Sequence, residues 1–213
     1  MVDAGEFAAE AVIMDAGAFP ESPEALRWLD GGLPVVCCDG AADRFLATGR
    51  VPWRIVGDCD SMSQDVRRNY AEIIRRNPDQ ETNDQTKAVE YLVGHDVNRI
   101  VILGATGLRE DHTLGNISLL IEYMRRGLEV RAYTDYGVFI PCRGDMEFDC
   151  SPGEQVSVFS FGATGMTSDG LRYPLRDFVN WWEGTLNEVS SSPFRINAHG
   201  DYMIFINYHR EQR

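Results

Sequence analysis

Positive charge is scarce in this chain. Its 213 residues carry 20 Lys and Arg against 33 Asp and Glu, a formal net charge of −13. A nucleic-acid binder needs a basic stripe to displace counterions from phosphates, and this composition argues against one. The same acidity suits a protein that handles cations, either a metal or a positively charged organic substrate. The five cysteines, Cys37, Cys38, Cys59, Cys142 and Cys150, include no C-x-x-C pair, and their count is odd. Cys37 and Cys38 sit in an apolar run and read as core, so a reduced, cytoplasmic compartment is expected. No apolar run approaches the length of a membrane span, and residues 1–7 are acidic with no basic stretch, so no secretion signal is expected there. Repeats and low-complexity tracts are also missing. What remains is an ordinary globular composition, 44% hydrophobic and 25% charged, with volume enough for one large domain or two small ones.

Up to about residue 135 the pattern alternates between strand and helix. Ala11–Met14 and Leu33–Cys38 are short apolar runs. Between them Ser22-Pro23-Glu24 reads as a helix start, with Ser as cap and Pro in the first turn. Trp53–Val56 reads as the end of a buried strand. Val66, Tyr70, Ile73 and Ile74 recur at helical spacing within Ser63–Asn77 and predict a helix there. Further helices are predicted over Asp84–Leu92 and Asp111–Arg126, the second with Leu114, Ile117, Ile121 and Met124 on one side and Gly127 as its stop. Arg99–Leu103 and Glu129–Thr134 read as strands. This order implies a parallel sheet covered by helices. Beyond Gly137 short alternating segments take over (Glu147–Cys150, Gln155–Phe161, Arg195–Ala198, Tyr202–Tyr208), punctuated by Gly and Pro, as in an antiparallel sandwich or barrel. The expected architecture is therefore α/β plus all-β. A parallel-sheet α/β domain spans residues 1–140, and an antiparallel β-sandwich domain spans 141–213.

Ligands of open parallel sheets bind at the carboxyl ends of the strands. Four loops fall there. The most telling is Gly57-Asp58-Cys59-Asp60-Ser61. If the segment is extended, side chains two apart point the same way and both carboxylates converge. At about 4 Å and an effective dielectric near 20 their repulsion is roughly 4 kcal/mol, which a cation removes, and all-oxygen ligands suit Mg²⁺. Alone, the pair is equally a solvated Asp-rich turn. In Asp39-Gly40-Ala41-Ala42-Asp43 a plain helix cap is the better reading of the isolated loop. In Glu81–Lys87, Thr82 or Asn83 caps a helix on which Asp84 and Lys87 share a face, either as a surface pair or as a metal and phosphate contact. In Gly104–His112 two glycines follow a buried strand, but the P-loop spacing is missing. There Arg109 is placed to grip phosphate, Asp111 to join a metal or act as a base, and His112 fits a helix-start hydrogen bond better than catalysis. Together the loops put Asp58, Asp60, Asp84 and Asp111 on one sheet edge beside Lys87 and Arg109, a set suited to phosphoryl chemistry.

These residues resemble a known family, the thiamin pyrophosphokinases. The likeness rests on G-D-C-D-S (Gly57–Ser61), N-D-Q-T-K-A (Asn83–Ala88) and G-A-T-G-L-R-E-D-H-T-L-G-N (Gly104–Asn116). It is supported by D-G-A-A-D (Asp39–Asp43), G-L-R-Y-P-L (Gly170–Leu175) and G-T-L-N-E (Gly184–Glu188). The resemblance implies transfer of the terminal pyrophosphoryl unit of ATP to the hydroxyethyl oxygen of thiamin, with Mg²⁺, in a homodimer whose sites lie between subunits. It implies Asp58, Asp60 and Asp84 at the metal. Asp39, Gly40, Lys87, Thr106, Gly107, Arg109 and His112 would lie around ATP. Tyr173, Asn187 and Asp111 would lie around thiamin, with Asp111 as the candidate base and Tyr173 where the family usually has a stacking Trp. Leu108 stands where Gly is frequent, Cys59 where an aromatic is common, and Leu186 where Ser precedes the Asn. Two other readings remain open: a D-x-D transferase using a nucleotide sugar, and a silent thiamin or nucleotide sensor.

Overall fold

Side-chain caps start three helices of the chain's first half, and fully buried apolar runs form the strands between them. The computed structural model describes residues 2–3 and 6–208. After a two-residue strand, β1 (Val2–Asp3), comes β2 (Ala11–Met14), buried throughout. In α1 (Pro23–Asp30) the Ser22 hydroxyl accepts the Ala25 N–H at 3.3 Å, and Pro23 sits in the first turn, where no N–H is needed. β3 (Val35–Cys38), α2 (Ala42–Ala47) and β4 (Arg54–Gly57) follow. α3 (Gln64–Asn69) is capped by Ser63, whose hydroxyl accepts the Val66 N–H at 3.2 Å. Then come β5 (Ile74–Arg76), α4 (Asp84–Val93), β6 (Arg99–Leu103), α5 (Glu110–Arg125) and β7 (Glu129–Tyr133).

The chain divides into two units. One comprises residues 9–119 and 126–135; the other, among the described residues, comprises 2–3, 6–8, 120–125 and 136–208. In the first unit all strands are parallel, in the order β7-β6-β2-β3-β4-β5. The chain enters at β2, steps outward to β5, and returns to the other flank of β2 at β6. The winding direction thus reverses between β2 and β6, which opens a crevice at their carboxyl ends. Two hydrogen bonds zip the loops leaving these strands: Gly17 N–H to Gly104 O at 2.8 Å and Ala18 N–H to Thr106 O at 2.7 Å. A Cβ on Gly17 would run into the carbonyl oxygens of both Gly104 and Thr106, so only glycine permits this closeness.

Two expectations from periodicity need correction. The helix predicted over Ser63–Asn77 stops after Asn69; a short 3₁₀ turn (Ala71–Ile73) follows, and Ile74–Arg76 pairs with β4 as an edge strand. Ile73 and Ile74 matched a helical stripe, but Ile74–Arg76 pairs with the outer edge of β4 and so fills backbone groups that a further helical turn would leave open. In α5 the buried residues are Leu120, Ile121 and Tyr123, whereas Leu114 is exposed. The first half of that helix therefore presents no apolar stripe to the core.

The second unit is the antiparallel β-sandwich. Its strands are β8 (Gly137–Arg143), β9 (Met146–Asp149), β10 (Gln155–Ser160), β11 (Thr164–Asp169), β12 (Asn187–Glu188), β13 (Phe194–His199) and β14 (Asp201–Asn207). One layer runs β12-β10-β14-β8, all antiparallel. The other runs β1-β9-β13-β11, with β1 parallel to β9. β13 shows the two-residue period plainly: Phe194, Ile196 and Ala198 are buried while Arg195, Asn197 and His199 are exposed. The Phe148 and Phe194 rings stack at 4.9 Å. Asp201, nearly buried, accepts from Arg125 Nε and Arg143 Nε, each at 2.6 Å.

Candidate active site

The carboxyl ends of β3 and β4 carry the acids. Carboxylate oxygens of Asp39, Asp58 and Asp60 lie within 4.8 Å of one another. Gly57 makes the approach possible, since a Cβ there would stand 2.5 Å from the Asp39 Cβ. Asp39 is fully buried; its Oδ2 accepts the Ser61 N–H at 3.1 Å, and its Oδ1 is buried with no hydrogen-bond partner. Burial pushes its pKa up, Ser61 opposes that, and the fields of Asp84, Asp58 and Asp60 add to it. Asp58 Oδ2 accepts from Gln80 Nε2 and Oδ1 from the Asp60 N–H, both at 3.1 Å, and these bonds hold its pKa below the ordinary value.

The convergence of Asp58 and Asp60 does not come from an extended strand. β4 ends at Gly57, and Cys59 is left-handed at φ 72°. The Asp60 N–H on Asp58 Oδ1 closes a turn that brings the two acids together. Asp84 is not part of the three-carboxylate group. Its Oδ1 lies 3.0 Å from Lys87 Nζ, and that lysine, the only one in the sequence, is almost fully buried. Asp39, rather than Asp84, completes the cluster with Asp58 and Asp60.

The remaining loops are tied to this rim. Asn83 caps α4 by accepting the Thr86 N–H at 2.9 Å, and its Nδ2 donates to Asn116 Oδ1 at 2.9 Å. Asn116 in turn donates to Ala105 O at 3.2 Å, which links the α4 start to the turn after β6. That turn carries Thr106 and Gly107, the latter at φ 79°. Gly40 lies beside Ala16, whose carbonyl receives Arg44 Nη2 at 2.5 Å. Arg109 and Asp111 are exposed and form a two-pronged pair, Nε to Oδ1 at 3.1 Å and Nη2 to Oδ2 at 2.5 Å. Arg109 holds the Asp111 carboxyl down to about 2, which makes it a poor proton acceptor while the pair lasts. The exposed His112 donates its backbone N–H to Asp111 Oδ1 at 2.9 Å.

In the β-sandwich, Tyr173 is exposed while Asn187 is buried. Asn187 accepts the Tyr173 N–H at 3.1 Å and donates to Tyr173 O at 2.6 Å, so it braces the tyrosine backbone. Sequence reasoning passed over three residues here. Asp15, at the carboxyl end of β2, is buried and accepts the Cys38 thiol at 2.9 Å, and its Oδ2 has no hydrogen-bond partner. Gln80 and Asn116 act through hydrogen bonds that no periodicity announces. For Asp15 the available signal was its place one residue beyond a buried strand.

Acidic and basic side chains gathered at the carboxyl rim of a parallel sheet are the equipment of α/β phosphotransferases. Residues 30–132 match the family model described as thiamin pyrophosphokinase, catalytic domain, and residues 137–205 match that of the thiamin pyrophosphokinase substrate-binding domain. The chain is 32% identical to thiamine pyrophosphokinase 1 of Oryza sativa subsp. japonica, over 78% of this chain and 75% of that protein. It is 27% identical to thiamine pyrophosphokinase of Bacillus subtilis, over 73% and 76%. Among solved structures, that of the Bacillus subtilis thiamine pyrophosphokinase superposes with a TM-score of 0.76 at 20% identity, covering 94% of this chain and 100% of that one. Yeast thiamin pyrophosphokinase superposes with a TM-score of 0.78 at 17% identity, covering 96% and 88%. The chain belongs to the thiamin pyrophosphokinase family.

Backbone strain and burial each generate a test. Leu108 is left-handed at φ 69° and exposed. Leu108→Gly removes a left-handed penalty of about 1–2 kcal/mol and adds chain entropy to the unfolded state, for a net gain of roughly 0.5–1 kcal/mol, read as a higher urea midpoint. A lower midpoint contradicts the strain. Burial, opposed by the Cys38 thiol and helped by Asp84, lifts the Asp15 pKa from 3.8 to about 7. The folded chain therefore holds a proton that the unfolded chain releases between those values, and stability falls as pH rises from about 4 to about 7. Asp15→Asn loses that slope. Relative to the unaltered protein it gains roughly 2–4 kcal/mol between pH 4 and pH 8. Parallel stability curves for the two proteins would show that Asp15 does not titrate this way.

Proposed function

We propose that the protein transfers the pyrophosphoryl group of ATP to the hydroxyethyl oxygen of thiamin, giving thiamin diphosphate and AMP, with Mg²⁺ held by Asp39, Asp58 and Asp60. The observation that carries the reading is the three-carboxylate group at the sheet's carboxyl rim, inside the stretch matched by the catalytic-domain family model. The orphaned, buried Asp39 Oδ1 and the all-oxygen donor set fit a hard divalent cation. When bound, Mg²⁺ offsets phosphate charge and orients the β-phosphorus. Neither competing reading is favoured by the two matched domains, which account for the sandwich as well as the acids.

In the reaction the thiamin hydroxyl oxygen attacks the β-phosphorus. The bond from that phosphorus to the α,β-bridging oxygen breaks, AMP departs, and the hydroxyl proton passes to a base. Lys87, buried and already polarised by Asp84, supplies a fixed cation for phosphate oxygens. Thr106, Gly107 and Gly40 let the nucleotide approach the backbone, with His112 at the start of α5. Arg109 has a fork that fits phosphate as well as carboxylate. Its move from Asp111 to the triphosphate restores Asp111 toward an ordinary carboxyl, so that substrate binding itself arms the base. Tyr173 offers its exposed ring face to the thiazolium cation, braced by Asn187. The acidic surface draws in the same cation.

Assembly as a homodimer with sites between subunits accords with the exposed Val179, Trp182 and Leu186 of the β-sandwich. Sedimentation is expected to give twice the chain mass, and a fully active monomer would rule out a shared site. A cytoplasmic location accords with the five free thiols. No helix among the described residues is long and apolar enough to cross a membrane. The direct test of the reaction is product analysis. With thiamin, ATP and Mg²⁺, AMP and thiamin diphosphate appear in equal amounts, and chelation of the metal stops both. Asp58→Asn lowers turnover by a factor of about 10³ or more, with melting temperature nearly unchanged. Release of ADP, turnover only with a nucleotide sugar, or a near-normal Asp58→Asn rate would each reject the reading.

A further inference from the structure

Charge balance at the rim exposes a gap that the cations considered so far do not fill. Asp39, Asp58, Asp60 and Asp84 bring four formal negative charges, and Lys87 returns one. A single divalent cation leaves the rim still one charge negative, and Arg109 and Asp111 cancel each other whether paired or parted. A triphosphate would meet net repulsion. Two arginines stand on this same turn. Arg67, from α3, donates Nη2 to the Asp60 carbonyl at 3.1 Å, and Arg76, the last residue of β5, donates Nε to the Asp58 carbonyl at 3.2 Å. The two carbonyls flank Cys59 in the chain, so both guanidinium groups sit on one short turn. Both are exposed, and neither has a carboxylate partner among the described residues. An exposed arginine beside aspartates ordinarily pairs with their oxygens. Here each grips only the main chain, so the carboxylates stay free for a cation and most guanidinium N–H groups stay free for an anion.

We infer that Arg67 and Arg76 form a phosphate clamp that flanks the Asp58–Asp60 turn and binds the polyphosphate of the nucleotide. The carbonyl bonds fix each guanidinium beside the metal-binding acids, so metal and polyphosphate are held by one turn. Adding both arginines brings the rim with one divalent cation to a net positive charge. The inference rests on the pyrophosphoryl-transfer reading for the identity of the anion, but the clamp is testable without turnover. β5 is what delivers Arg76. A helix continued through residue 77 would not set Arg76 opposite Gly57, its partner in the β4–β5 register.

The test uses the full-length Arg67→Gln, Arg76→Gln double variant, in which an amide replaces each guanidinium and can still donate to the carbonyl. Calorimetry with Mg-ATP and with inorganic tripolyphosphate is expected to show binding weakened on the order of tenfold or more, with a shallower salt dependence. The Michaelis constant for thiamin stays within about twofold, and affinity for Mg²⁺ alone is unchanged or tighter, because two nearby positive charges are gone. Arg67→Lys, Arg76→Lys recovers part of the loss. Unchanged Mg-ATP affinity overturns the clamp. So does a loss of Mg²⁺ affinity and melting temperature in step with that of ATP, which would make the arginines mere braces of the turn. If the unaltered protein binds tripolyphosphate through these arginines yet releases no AMP with thiamin, the reaction reading fails and the clamp stands; normal AMP release with arginine-independent binding sinks the clamp alone.

Discussion

Mutual repulsion among carboxylates governs the α/β unit. Three of them share a space 4.8 Å across, and at an effective dielectric near 20 each ionised pair opposes the fold by roughly 3–4 kcal/mol. Nothing in the apolar sheet below requires that crowding. It persists because the surrounding groups are arranged to tolerate it. Ser61 N–H and Gln80 each donate to one acid, Asp60 N–H donates to Asp58, and burial moves Asp39 toward its neutral form. Each of these groups lowers the cost of holding the acids together.

Backbone rather than side-chain chemistry sets the geometry. Gly57 lets the end of β4 close on Asp39, and Gly17 lets the β2 loop zip onto the β6 turn. The turn between Asp58 and Asp60 is bought with a left-handed cysteine. Cys59, Leu108 and Leu186 are three of the four non-glycine residues with positive φ among those described. Strain of this sort is tolerated where the surrounding contacts over-determine the backbone.

How much was readable in advance depended on the physical range of the signal. Caps are local: Ser22 with Pro23, Ser63 and Asn83 start helices where their side chains reach the backbone three residues on. The buried strands Ala11–Met14 and Arg99–Leu103 were plain because a doubly covered strand has no polar side to confuse the pattern. In the sandwich, Gly137–Arg143 was hidden by its internal Pro141, which pairs with Met203 even though it donates no N–H. The loops bearing Asp39, Asp58, Asp60 and Asp84 were legible as candidates from their place after apolar runs. Which acids meet was not, because it turns on a φ angle at Cys59 and on strand neighbours far apart in sequence. The Asp15–Cys38 contact belongs to that class too, since it exists only because β2 and β3 lie side by side.

The edge strand β5 ties these threads together. Ile73 and Ile74 satisfy a helical stripe and a strand about equally well, so the sequence pattern alone does not decide between them. The decision comes from β4, whose outer edge would otherwise leave N–H and C=O groups unpaired beside the acidic turn. Pairing with Ile74–Arg76 fills that edge, and Asn77 N–H adds a bond to Gly57 O at 2.7 Å. The chain is then obliged to leave the sheet at the same rim as Asp58, which sets Gln80 on the Asp58 carboxylate and Arg76 on its carbonyl. A choice made by backbone hydrogen bonding thereby determines the electrostatics of the site, and Arg76 reaches it from a segment whose periodicity had pointed to a helix.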